Sequence, residues 1–140
     1  MMISLNKHQT GKEFIKEMEK TYGSIKELEK KFKIINKMIY HVDLEAWKYH
    51  KDNLDETIDR TTSIITDSLT IGEIEIELLT TIKRKHPESI RELARLVNRD
   101  ISVVQPKVKN LSETGLIELK EGIKNRKTPY LNYDEITIAI

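Results

Sequence analysis

The sequence predicts a mostly α chain with a small β-wing, and three observations predict it. Apolar residues recur at heptad spacing from Phe14 to Ile39. Two capped amphipathic helices, Ser89 to Val97 and Asp100 to Thr114, meet at a short turn. The run GLIELKEGIKNRKTPYLNY then reads as a basic hairpin. Helix, sharp turn, second helix, Gly and basic hairpin are the sequence form of a winged helix-turn-helix domain, here preceded by a helical, coiled-coil-like N-terminal region. Residues 1–68 are expected to serve dimerisation or partner binding and residues 69–140 to bind DNA.

Taking the elements in order, Phe14, Met18, Ile25, Leu28, Phe32, Ile35 and Ile39 alternate at spacings of four and three once Thr21 is counted, the stripe a coiled-coil seam needs. Gly23-Ser24 interrupts it. Gly23 can end one helix and Ser24 with Glu27 forms a capping box for the next, so two helices are expected at about 11 to 22 and 25 to 40, with one continuous helix as the alternative at a cost of ~1 kcal/mol for the glycine. Asp43 is placed as the cap of a short helix LEAWKYHK. The run TIDRTTSIIT, Thr57 to Thr66, is rich in β-branched residues and suits a strand, with helix as the alternative. Ile71 to Lys85 carries Ile74, Leu78, Leu79 and Ile82 at helical spacing, and His86-Pro87 ends it because the residue before proline avoids the α region.

The second half carries the functional expectation. Ser89 and Glu92 form another capping box, opening a helix that buries Ile90, Leu93, Ala94 and Val97 and leaves Arg91, Arg95 and Arg99 outside, of which Arg91 and Arg99 are expected to touch DNA. Asn98-Arg99 supplies the turn. In the next helix Val104, Val108 and Leu111 face inward, leaving Ser102, Val103, Gln105, Pro106, Lys109 and Asn110 on the outer face. Gln105 suits a bidentate contact to adenine, Val103 a thymine methyl, Ser102 a base edge or phosphate, and Lys107 and Lys109 the backbone. Lys120, Lys124, Arg126 and Lys127 make the hairpin tip basic, which suits phosphates or a narrow minor groove. Pro106 departs from the pattern, since proline past the first turn removes a hydrogen bond. It implies a helix that starts late or is kinked.

Segment charge agrees with this division. The net charge is +1 over 140 residues, but Lys83 to Lys127 holds twelve Lys or Arg against six Asp or Glu, whereas Asp43 to Ile82 holds three against ten. A basic segment can bind nucleic acid inside a neutral chain, because phosphate contacts supply most non-specific affinity.

The segment ESIRELARLVNRDISVVQPKVKNLSETGLIELK resembles the helix-turn-helix of archaeal and bacterial winged-helix transcriptional regulators of the broad MarR and ArsR kind. The ending PYLNYDEITIAI is similar to that of a group of archaeal regulators that finish in a Tyr-Asp-Glu strand. The likeness runs from about Leu69 to the C-terminus. It implies a dimeric repressor or activator whose second helix, from Asp100, reads DNA and whose wing, Lys120 to Lys127, touches backbone or minor groove.

Other chemistries find little support. His41, Asp43, Glu45, His50 and Asp52 do not share one helical face as a metal set would require. The glycines at 11, 23, 72, 115 and 122 make no phosphate-cradling loop, and Ser63, Ser68, Ser89, Ser102 and Ser112 lack a nucleophile-elbow setting. No cofactor is therefore expected, and no enzyme. No run reaches the ~20 apolar residues of a membrane span, the N-terminal run lacks a secretory apolar region, and there are no cysteines, so a cytoplasmic setting is expected. The expectation is a homodimeric, sequence-specific regulator on double-stranded DNA. The alternative is a protein-interaction adaptor or antitoxin-like module on the same scaffold.

Overall fold

The computed structural model describes residues 1–67 and 69–140. Ser68, weighed above as a nucleophile and as the last residue of the N-terminal region, lies outside them. The described elements run β1 (Met2–Thr10), α1 (Gly11–Tyr22), α2 (Ile25–Ile34), α3 (Met38–Lys51), β2 (Thr57–Ile65), α4 (Glu73–Lys85), α5 (Ile90–Leu96), α6 (Ile101–Glu113), β3 (Glu118–Glu121), β4 (Lys127–Tyr130) and β5 (Glu135–Ala139). They form two compact units, one of His8–Arg60 and the other of Met1–Lys7 with Thr61–Ile140.

The expected class is corrected on two counts. The chain is an α/β fold, with six α-helices and five strands among the described residues, rather than a mostly α one with a small wing. A winged helix-turn-helix behind a coiled coil does not describe it. α5, α6 and the β3–β4 hairpin follow in the expected order, but the chain also builds a separate three-stranded sheet of order β2-β1-β5. The N-terminal region opens on a nine-residue strand, not on a helix. The physical reason is pairing at long range. β1 and β5 align antiparallel from Met2↔Ala139 to Asn6↔Glu135, a partnership across nearly the whole chain that no local pattern announces.

The heptad residues are used inside the His8–Arg60 unit. Gly23 has φ +88, a left-handed conformation that glycine adopts without a Cβ clash, and it ends α1. With α1 and α2 separated there, Phe14 and Met18 from one and Leu28 from the other bury together with Leu44 and Trp47 of α3. Ile35 and Ile39 fall away from this core and are 41% and 54% exposed, so the stripe makes no continuous seam. Thr10 and Ser24 cap α1 and α2 by accepting from the Glu13 and Glu27 amides at 3.2 Å each. The expected cap at Asp43 is also corrected. α3 begins at Met38, and Asp43 lies within it, its carboxylate accepting the Tyr22 hydroxyl at 2.6 Å. Burial and this hydrogen bond push the Tyr22 phenol well above its ordinary value.

In the other unit, Ile3 and Leu5 of β1 pack with Leu78 and Ile82 of α4, Leu93 and Ala94 of α5, Val104, Val108 and Leu111 of α6, and Leu116, Leu131 and Tyr133. The inward residues of α5 and α6 are those expected from helical spacing. The Tyr133 hydroxyl donates to the Leu116 carbonyl at 2.8 Å, closing the strip after β4 onto the end of α6, and burial raises its phenol. No helix among the described residues is long and apolar enough to cross a membrane.

Candidate nucleic-acid interface

Three local devices place the basic side chains. Ser89 caps α5 by accepting from the Glu92 amide at 3.0 Å, while the Glu92 carboxylate accepts from the Glu88 amide at 3.1 Å, one residue upstream of the usual box partner. Asn98, at φ +54, turns the chain between the helices, and Asp100 caps α6 by accepting from the Ser102 amide at 2.8 Å. Hydrogen bonding from the Ser102 hydroxyl, and then from its amide, holds the Asp100 carboxyl below its ordinary value. Hydrogen bonding also anchors the hairpin. Thr128 Oγ1 donates to the Glu88 carbonyl at 2.9 Å, bringing β4 beside the start of α5.

The hairpin tip is tightly folded. Gly122 donates its amide to the Arg126 carbonyl at 2.7 Å, and a Cβ added there would stand 2.9 Å from that oxygen, too close for any other residue without movement. Lys124 and Asn125 follow at φ +58 and +61, conformations unusual for side-chain-bearing residues. The tip therefore projects from a defined turn.

These placements enclose a cleft of about 750 Å³ lined by Ser89, Arg91, Glu92 and Arg95 of the α5 segment, Gln105 of α6, and Asn125, Arg126 and Lys127 of the tip, with Ile90. Four cations thus face one carboxylate. Among the described residues the side chains of Arg91, Arg95, Arg126 and Lys127 have no ion pair, whereas Glu92 is engaged at the cap. Like charges gathered without partners raise the local potential and favour an anion.

The expected site residues separate into three groups. Arg91, Gln105, Arg126 and Lys127 meet at this cleft. Ser102, Val103, Lys109, Asn110 and Lys124 are exposed on α6 or the tip but do not line it. Arg99, Lys107 and Lys120 are engaged elsewhere. Arg99 holds Glu77 of α4 at 3.0 Å, Lys107 holds Glu75 at 2.7 Å, and the Lys120 ammonium lies 3.6 Å from the Tyr130 ring centroid. Arg95, Ser89 and Asn125 were not among the expected residues. Arg95 had a signal, because it stands one turn from Arg91 on the same helical face, whereas Asn125 comes to the cleft only through the tip's backbone.

Pro106 lies well inside α6, which starts at Ile101 and runs through it to Glu113. Of the two alternatives, a late start or a kink, the late start does not occur. Pro106 has no amide to donate to the Ser102 carbonyl one turn back, and Ser102 is exposed, so that oxygen has solvent in reach.

The pair Lys107–Glu75 locks α6 to α4. The Glu75 side chain is 7% exposed, and its other oxygen accepts from the Gly72 amide at 2.9 Å, so one carboxylate serves both the α4 start and α6. The Lys107 hydrogen bond holds the Glu75 carboxyl below its ordinary value of 4.5, outweighing the opposing effect of burial. Its stabilisation is therefore complete above the unfolded-state value and disappears as pH falls through the lower folded-state value. Glu75→Gln is expected to cost about 1–3 kcal/mol at neutral pH, a difference that shrinks on acidification below pH ~4. Chemical denaturation of both proteins across this range measures it. A pH-independent difference would assign the loss to packing.

Residues 71–138 are similar to the family described as HVO_A0114, a match of just under half the chain. It takes in α4, α5, α6, the hairpin and nearly all of β5, and so every residue of the cleft. No curated protein matches the chain, and no solved structure does.

Proposed function

We propose that the protein is a sequence-specific DNA-binding transcriptional regulator that works in the cytoplasm as a homodimer. α6 enters the major groove and the hairpin tip, 120–127, meets backbone or minor groove. The observation that carries the reading is the cleft, where four unpaired cations converge beside the exposed polar face of α6. Gln105 stands at the boundary between the two, so a phosphate held by Arg91, Arg95, Arg126 and Lys127 leaves its amide to address an adenine edge. Ser102 and Val103 extend that face toward the α6 start. Arg99 and Lys107 take a different role, holding the turn before α6 and α6 itself to α4.

Fluorescence anisotropy with labelled genomic fragments tests the reading. Binding is expected to weaken steeply with salt, and Gln105→Ala is expected to flatten the preference among fragments by about 1–3 kcal/mol per contacted base pair. Absent or salt-insensitive binding would remove DNA as the partner.

A second reading, a protein-interaction module, is favoured by one observation in the His8–Arg60 unit. Ile34, Ile35, Met38, Ile39 and Val42 form an apolar run around the α2–α3 junction, and Ile34 and Met38 are 83% and 74% exposed. Surfaces of this kind mark partner sites. Co-purification of a stoichiometric protein that Met38→Glu releases, with no retention on heparin, would select it.

A further inference from the structure

β5 forms one edge of the three-stranded sheet, and no strand borders its outer side among the described residues. The two sheet edges differ in chemistry. β2 carries Asp59 and Arg60 within the strand, the charges that commonly protect an edge from pairing. From Ile136 to Ala139, β5 carries no charge, no proline and no lysine.

The faces of β5 follow from its register. Ile138 stands opposite Ile3 and Ile136 opposite Leu5, and directly opposed residues share a face. Since Ile3 and Leu5 are buried, Ile136 and Ile138 point to the core side of the sheet. On that side the core is open at the β5 edge. A groove of about 470 Å³ runs there, its apolar floor made by Ile71, Ile76, Leu79, Leu131, Ile136 and Ile138, with Lys83, Arg84 and Asp134 on its polar side. Ile76 of α4 is 55% exposed and Ile138 43%, both unusual for residues adjoining a core.

We infer that this edge pairs with the same edge of a second copy. A two-fold axis through Thr137 would lay two β5 strands antiparallel and join two three-stranded sheets into one of six. Ile136 of each copy would then oppose Ile138 of the other on the core side, and Glu135 would oppose Ala139 on the outer side, so no like charges meet. Every second N–H and C=O on the outer side gains a partner, and Ile76, with its groove, is covered by the second copy's isoleucines. Ile140, fully exposed, continues the apolar strip beyond the strand. The β5 interface deepens the homodimer reading alone. It requires no DNA, so dimer mass measured without DNA separates its failure from a failure of DNA binding.

The chain has no cysteine, which makes a single introduced one a clean probe. At the axis, Thr137→Cys places two Cβ atoms about 4.5–5.5 Å apart, near the separation a disulfide spans. Mild oxidation is expected to cross-link most of this variant as a dimer. Ala139→Cys is expected to stay largely uncross-linked, its copies being about 13 Å apart along the strands. As a second arm, Thr137→Lys and Thr137→Glu are each expected to be monomeric in sedimentation, and their equimolar mixture to recover the dimer. A wild-type chain that stays monomeric to about 100 µM overturns the proposal, and uptake of an apolar dye by that monomer would assign the groove to a small ligand. Cross-linking through Met38→Cys in place of Thr137→Cys also overturns it, by moving the interface to α3.

Discussion

Replacing Arg91, Arg95, Arg126 and Lys127 together with alanine is expected to remove nearly all measurable DNA affinity at moderate salt while leaving the fold intact. Each phosphate contact contributes about −0.9 to the slope of log affinity against log salt, so losing four contacts flattens the slope by about 3.6 per chain. For four contacts alone, the wild-type affinity falls about 150-fold as salt rises from 50 to 200 mM. The variant loses that dependence along with the affinity. All four residues are exposed and their side chains make no ion pair among the described residues, so the unfolding midpoint should move by no more than the equivalent of ~0.5 kcal/mol per site. Salt-dependent anisotropy and thermal unfolding of the same preparation test both halves. A variant that keeps the wild-type slope would place the phosphate contacts elsewhere on the surface. Arg95 gives a sharper version of the test: Arg95→Ala should weaken binding to all fragments alike, whereas Gln105→Ala should change their ranking.

Leu93→Ala is expected to have the largest effect on stability. Leu93 is fully buried at the centre of α5, in the core that also holds α4 and α6. Removing three methylene-sized groups there leaves a cavity and costs about 2–5 kcal/mol, a large fraction of the ~5–15 kcal/mol a typical domain has in reserve. Because α5 carries two cleft arginines and its start anchors the hairpin, DNA affinity should fall with it. Val103→Ala is the contrasting case. Val103 is 41% exposed on the outer face of α6, so its truncation should change stability by less than ~0.5 kcal/mol and act on preference at a thymine position. Urea unfolding midpoints of the two variants check the contrast. Equal midpoints would mean that α5 is not packed as described.

What was legible in the sequence lies where local chemistry is strong. Ser24 and Ser89 cap their helices, Asn98 makes the turn between α5 and α6, and Val104, Val108 and Leu111 are buried as helical spacing requires. The β-branched run from Thr57 is a strand, β2. Less legible was how the apolar stripe from Phe14 to Ile39 would be used, because heptad spacing says that a face must be covered but not by what. α3 covers most of it from within the chain, through Leu44 and Trp47. The candidate site divides in the same way. Arg91, Gln105, Arg126 and Lys127 were legible as exposed polar residues of the expected elements. That Lys107 and Arg99 are held by Glu75 and Glu77 was not, since those carboxylates lie more than twenty residues upstream.

Local chemistry alone marked where α5 begins and ends, where α6 stops, which of their faces are buried, and that a basic hairpin follows, because capping, turn chemistry and amphipathic period act within a few residues. Only the tertiary structure decided that β1 joins β5, that the N-terminal helices close on their own core, and which basic side chains stand together unpaired. Those outcomes depend on contacts between segments far apart in the chain. A lysine in a sequence is a charge in either case; whether it binds a carboxylate or is left to face a phosphate depends on what the fold brings within about 4 Å of it.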